Sequence, residues 1–72
     1  TVQISKTSGL AGIAYWINVH YGLKGEKELK KNDPLVIAIK AWTDELYEDG
    51  RQTVMSHGEL VEKIEELAPG RF

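Results

Sequence analysis

The chain has 72 residues with seven glycines, two prolines and no cysteine, so it accommodates one small domain and holds neither a disulfide nor a thiol nucleophile. Hydrophobic residues make up 42% and charged residues 28%, inside the globular range and outside that of disordered tails or collagen. A net charge of −2 excludes the clustered positive charge by which a nucleic-acid partner is held, and none is expected.

The longest apolar stretch, residues 10–17, falls well short of the roughly 20 residues of a spanning helix, and no basic segment precedes it, so no membrane partner is expected either. The chain opens Thr1-Val2 without an initiator methionine, as a piece of a longer chain would. Surface scaling gives roughly 4,500 Å² for the folded form, a marginal ratio of buried to exposed surface, so contacts beyond the chain would help it.

From Thr1 to Lys6, Val2 and Ile4 alternate with polar residues, and this period of two predicts a short strand. Thr7 or Ser8 can cap the next element. Leu10, Ile13, Ala14, Ile17 and Tyr21 then recur at helical spacing until Gly22. The other face of this helix carries Ala11, Tyr15, Trp16 and Val19, so it is apolar nearly all round and calls for a cover. Tyr15, Trp16 and Val19 are the interface candidates. Residues 23–33 are charged, with only Leu23 and Leu29 apolar, and read as a connection or a frayed turn.

Asp33-Pro34 predicts a second helix, because the Asp side chain can accept from free N–H groups and proline at the first helical position has none to lose. It runs to about Glu48 with Leu35, Ile39, Trp42 and Leu46 on its core stripe, and Asp49-Gly50 ends it. Residues 51–55, Arg-Gln-Thr-Val-Met, then read as a second strand able to pair with the first. Ser56 and Glu59 match a capping box that starts the last helix, with Leu60, Val61, Ile64 and Leu67 buried and Ala68-Pro69-Gly70 at its end. The expected fold class is α+β, mostly helical: a single small β-α-α-β-α domain over 1–72, with three helices and a short two-stranded ribbon.

No complete catalytic constellation emerges from these residues. His57 and Glu59 spell H-x-E, yet the zinc deaminase signature also needs cysteines, which the chain lacks. His57 reads as a solvated residue at a helix start, and His20 as a cation near a helix C-terminus, where the dipole favours it. Asp44, Glu45, Glu48 and Asp49 lack the fixed offsets of a calcium loop and read as a solvated face. The basic cluster Lys24, Lys27, Lys30 and Lys31 is interrupted by Glu26 and Glu28 and reads as a solvated loop. Ser8 has no partner base. Gly9 and Gly12, near a helix start, let backbone approach another segment or a phosphate, and close packing is the favoured explanation. No catalytic or metal-ligating residue is assigned.

Residues 7–15, Thr-Ser-Gly-Leu-Ala-Gly-Ile-Ala-Tyr, resemble the Q-S-G-K-G-G-V-A-Y segment that follows the catalytic barrel in 2-isopropylmalate synthases. Tyr21-Gly22-Leu23 is similar to the family's H-G-L, and residues 54–60 resemble its strand and serine-capped helix. The S-G of residues 6–9 also resembles the G-K-H-S-G stretch of homocitrate and citramalate synthases. This resemblance implies a C-terminal, post-barrel subdomain of an enzyme that condenses acetyl-CoA with a 2-oxo acid in a (β/α)₈ barrel holding a divalent metal. It implies no cofactor in this piece itself, a catalytic barrel and a homodimer partner as its neighbours, and a cytoplasmic location. Ser8, Gly9 and Gly12 are the motif positions that could touch a cofactor. Leu10 stands where the family has lysine and Ala11 where it has glycine, so a phosphate or CoA contact by that lysine does not transfer. The alternative is a free-standing helical adaptor that uses the exposed face of the first helix as a partner groove.

Overall fold

A computed structural model describes residues 2–72. Three helices carry the fold: α1 (Leu10–Tyr21), α2 (Pro34–Glu48) and α3 (His57–Leu67), with a single 3₁₀ turn over Gly25–Lys27. α2 lies between the other two and packs against each. Ile13 and Ile17 of α1, Val36 and Ile39 of α2, and Leu60 and Ile64 of α3 meet in a core with almost no solvent exposure, joined by Ile4 from the amino-terminal segment. The folded surface is 4782 Å², near the value expected from chain length.

The expected α+β class and two-stranded ribbon are corrected by the structure, which is all helical with no strand among the described residues. The part of the first predicted strand that falls on Thr1 lies outside those residues. One backbone hydrogen bond stands where a ladder was expected, the Met55 N–H donating to the Ile4 carbonyl at 2.8 Å. Side chains have taken the groups that a ladder would use. The Arg51 guanidinium donates to the carbonyls of Thr53 (3.1 Å) and Val54 (2.9 Å), and the Tyr47 hydroxyl also donates to Thr53 O at 2.7 Å. On the other segment the Ser5 N–H donates to Ser8 Oγ, and the Ser8 N–H returns to Ser5 O, so the chain turns after Ser5. Each segment therefore buries one anchor, Ile4 or Met55, while Val2 and Val54 stay exposed.

α1 begins at Gly9 with no side-chain cap, since the Ser8 hydroxyl is engaged in the preceding turn. Its end is a Schellman arrangement. Gly22 takes φ 64°, its N–H donates to Val19 O, and the Leu23 N–H reaches back to Asn18 O at 2.8 Å. α2 starts as its sequence implies, with the Asp33 carboxylate accepting from the Leu35 N–H at 2.9 Å and Pro34 in the first turn. Its buried side is Leu35, Val36, Ile39, Thr43 and Tyr47, leaving Trp42 and Leu46 half-buried at the margin of the stripe assigned to them. α3 carries the full capping box: Glu59 N–H to Ser56 Oγ at 3.2 Å and Ser56 N–H to Glu59 Oε1 at 3.0 Å.

The connection from α1 to α2 has an order that its composition concealed. Asn18 Nδ2 donates to the Leu29 carbonyl at 3.0 Å, and the Leu29 N–H donates to Asn18 Oδ1 at 2.8 Å. One side-chain amide thus satisfies both backbone groups of Leu29, whose side chain is buried against the core.

A histidine and aromatic groove as the candidate functional site

Trp16, on the flank of α1, turns inward and is 6% exposed, whereas its neighbours on the same flank, Tyr15 (56%) and Val19 (62%), face solvent. The expectation that all three lie on a surplus outer face therefore holds for two of them. What covers Trp16 is a pair of imidazoles. His20, one turn further along α1, stacks on the indole with ring centres 4.8 Å apart and planes 8° from parallel. His57, the first residue of α3, meets the same indole edge-on at 5.2 Å. The two histidine rings are 5.9 Å apart. Val2, Tyr15, Trp16, Val19, His20 and His57 together line a groove of about 170 Å³.

Separate readings of the two histidines, one as a dipole cation and one as a solvated helix start, miss this cluster. The Trp16–His20 half was legible, because residues four apart share a helix face. His57 arrives only through the packing of α3 across α2, for which no local signal exists.

The other sequence candidates do not join the groove. Ser8, Gly9 and Gly12 lie at the opposite end of α1, the last two roughly 12–17 Å from His20 along the axis. A Cβ built on Gly9 or Gly12 would meet nothing within 4 Å, so close packing inside this chain does not explain either glycine. Of the acidic residues near the end of α2, Asp44 pairs with Lys40 at 2.6 Å, and all four are exposed. Among the described residues no group of three or more His, Asp or Glu side chains is placed to hold a metal ion. The divalent metal implied by the resemblance therefore does not fit a site built by the described residues.

Two ion pairs elsewhere serve the fold. Arg51 grips Glu59 with two hydrogen bonds of 2.6 and 2.7 Å, and this pairing, with the Ser56 N–H, holds the Glu59 carboxyl down at about 2. Arg71 pairs with Asp33 at 3.1 Å, tying the carboxyl-terminal tail to the start of α2 and lowering the Asp33 pKa. Beside it Phe72 stacks on Tyr21 at 4.5 Å. Burial first, and the Glu65 carboxylate second, raise the Tyr21 pKa.

No family model matches the chain, and no solved structure matches it. Curated proteins do. The chain is 43% identical over 68 residues to Citrate (Re)-synthase of Clostridium kluyveri, an alignment covering 94% of this chain and 15% of the relative. It is 44% identical over 70 residues to Citrate (Re)-synthase of Syntrophus aciditrophicus, covering 97% of this chain and 11% of the relative. With 2-phosphinomethylmalate synthase of Streptomyces hygroscopicus it shares 34% identity over 64 residues, 89% of this chain and 14% of the relative. This chain thus spans only a small part of the length of the proteins it matches. The kinship read in residues 7–15 stands: along nearly its whole length the chain is homologous to one short stretch of synthases of the citrate (Re)-synthase and 2-phosphinomethylmalate synthase kind.

Proposed function

We propose that this chain is the non-catalytic, C-terminal subdomain of an acyl-CoA-condensing synthase, which joins acetyl-CoA to a 2-oxo acid, and that it covers the mouth of the catalytic barrel and supports dimer contacts. The observation that carries this reading is the pairing of 43–44% identity over nearly all of this chain with 11–15% coverage of the relatives. A piece so similar to a small fraction of a synthase is most simply a module of one. In this reading acetyl-CoA and the divalent metal belong to the barrel, and the parent is a cytoplasmic biosynthetic transferase of the 2-isopropylmalate or homocitrate synthase type.

Exposed apolar surface on α1 supports the reading of the chain as a cover. Tyr15 and Val19 present apolar surface beside the groove, and Gly9 and Gly12 leave open backbone at the far end of the same helix. A surface of this kind, laid over a barrel mouth, keeps water from the reacting acyl group, which is how a closing element serves a condensation. The sequence similarity gives no support to the free-standing adaptor.

The test is thiol release from acetyl-CoA by the full-length parent, with several 2-oxo acids and Mg²⁺, Mn²⁺ or Zn²⁺, beside a parent carrying Tyr15→Glu and Val19→Glu. The double variant is expected to lose the dimer in sedimentation equilibrium and most of its turnover, since a charge in an apolar interface is uncompensated. The isolated 72-residue chain should release no thiol. Wild-type assembly and turnover in the double variant, or persistent release by the isolated chain, would overturn the proposal.

A further inference from the structure

We propose that the tail, residues 69–72, is a releasable strap whose docking is coupled to the shape of the Trp16 groove through an unbroken file of aromatic rings. Phe72 stacks on Tyr21 with ring centres 4.5 Å apart and planes 28° from parallel, and Tyr21 meets His20 edge-on at 4.7 Å. His20 in turn stacks on Trp16 at 4.8 Å, and Trp16 takes the edge of His57 at 5.2 Å. The file thus starts on the tail and ends on the first residue of α3, and its last three rings are walls of the groove. Rings in stacked or edge contact fix one another's tilt, so a shift of Tyr21 passes to His20 and from there to the indole.

The strap end is built to open. Gly70, at φ 71°, makes the turn that brings the tail back, and the Arg71 N–H closes it on the Ala68 carbonyl at 3.2 Å. The tail is then held by one ring stack and one ion pair, Arg71 to Asp33 at 3.1 Å, and both tail side chains are exposed, so solvent and salt reach each tie. Tyr21 is the movable link. Its hydroxyl is buried and makes no hydrogen bond among the described residues, so the ring is placed by Phe72 and His20 alone. An unpaired buried hydroxyl is costly, and the Glu65 carboxylate that bears on it is the acceptor toward which the ring turns once Phe72 leaves. The two states are a docked strap with the Tyr21 hydroxyl unpaired and a released strap with that hydroxyl on Glu65. A surface laid on the groove is thereby sensed at the tail, and the state of the tail at the groove.

The experiment follows the ring-proton NMR signals of the two histidines in the 72-residue chain as NaCl rises from about 0.01 to 1 M, in the wild type and in Arg71→Gln. That substitution removes the ion pair and leaves all five rings in place. It should shift the signals of His57 as well as those of His20, and salt should carry the wild-type signals along straight lines toward the Arg71→Gln positions, as exchange between two states requires. Salt should then move the signals of the variant little. In the reverse direction, His57→Ala, at an exposed position, should speed hydrogen exchange of the Arg71 amide by at least about threefold, because coupling between two sites is reciprocal. The proposal is overturned if Arg71→Gln leaves His57 unmoved, if salt moves the signals as far in the variant as in the wild type, or if His57→Ala leaves Arg71 exchange unchanged. The covering role rests on thiol release and is untouched by any of these outcomes.

Discussion

Arg51 and Glu59 are the residues on which the α2–α3 corner turns. The guanidinium holds two loop carbonyls and both carboxylate oxygens, and the same carboxylate caps the Ser56 N–H, so one ion pair orders a loop and starts a helix. Glu59 titrates near 2 in the folded chain against 4.5 as its ordinary value, a lowered pKa, so its contribution is fully present above the unfolded value. That contribution is lost as the pH falls from about 4.5 through about 2, and Asp33, also lowered by its arginine partner, loses its own share in the acid range. With the Glu59 side chain 40% exposed, solvent screening keeps the effect well below that of a buried pair. Thermal melts across pH 6 to 2 should show a decline for the wild type that Glu59→Gln flattens and shifts to a lower starting stability. Ser56→Ala removes the other half of the box and should cost about 1 kcal/mol, which is about 4–8 °C for a domain of this size. A melt unchanged by Ser56→Ala would show that the serine does not cap.

At the scale of elements, three helix ends were legible in the sequence because their chemistry is local, whereas the cap expected for α1 at Thr7 or Ser8 is absent and Gly9 takes that position without a side-chain bond. Ser56 with Glu59, Asp33 with Pro34, and Gly22 each act within a few residues, and each appears in the structure where its spacing placed it. The ribbon was not legible because an alternating segment looks the same whether it pairs along its length or drops one side chain into a core. Ile4 and Met55 do the second, and their single hydrogen bond replaces a sheet. Likewise the Asn18 clamp on Leu29 and the meeting of His20 with His57 join residues 11 and 37 apart, beyond any local pattern. Gly22, just past the end of α1, and Gly12, inside it, differ in what they do for the helix. Gly22 sits at φ 64°, where a Cβ is strained, so Gly22→Ala should destabilise the chain by about 1–2 kcal/mol. Gly12 lies inside α1 with open space around it, so Gly12→Ala should raise the melting temperature of the isolated chain, worth up to about 1 kcal/mol in helix propensity. A destabilised Gly12→Ala chain would show that the backbone there is constrained within the domain itself.

For the whole molecule, cohesion runs through few long-range ties. α2 carries both neighbours, the tail returns to it through Arg71 and Asp33, and the α1–α2 connection is held at Leu29 by Asn18. Between Gly22 and Leu29 the connection is exposed apart from Leu23, with a single 3₁₀ turn over Gly25–Lys27 and two lysines on its surface. That distribution makes the domain divisible. Trypsin should cut first after Lys24 or Lys27, since loops with few backbone contacts are where proteases enter, and the clamp one residue beyond Glu28 should slow cleavage further along. A chain nicked there keeps Leu29 bound to Asn18 and the α1 face seated on α2, so its two pieces should co-elute under native conditions and part only in denaturant. Residues 1–27 and 28–72, made separately, should then reassemble on mixing. The side-chain amide of Asn18 would act as the fastener of a split protein, and Asn18→Ala would weaken the reassembly that the shared core drives.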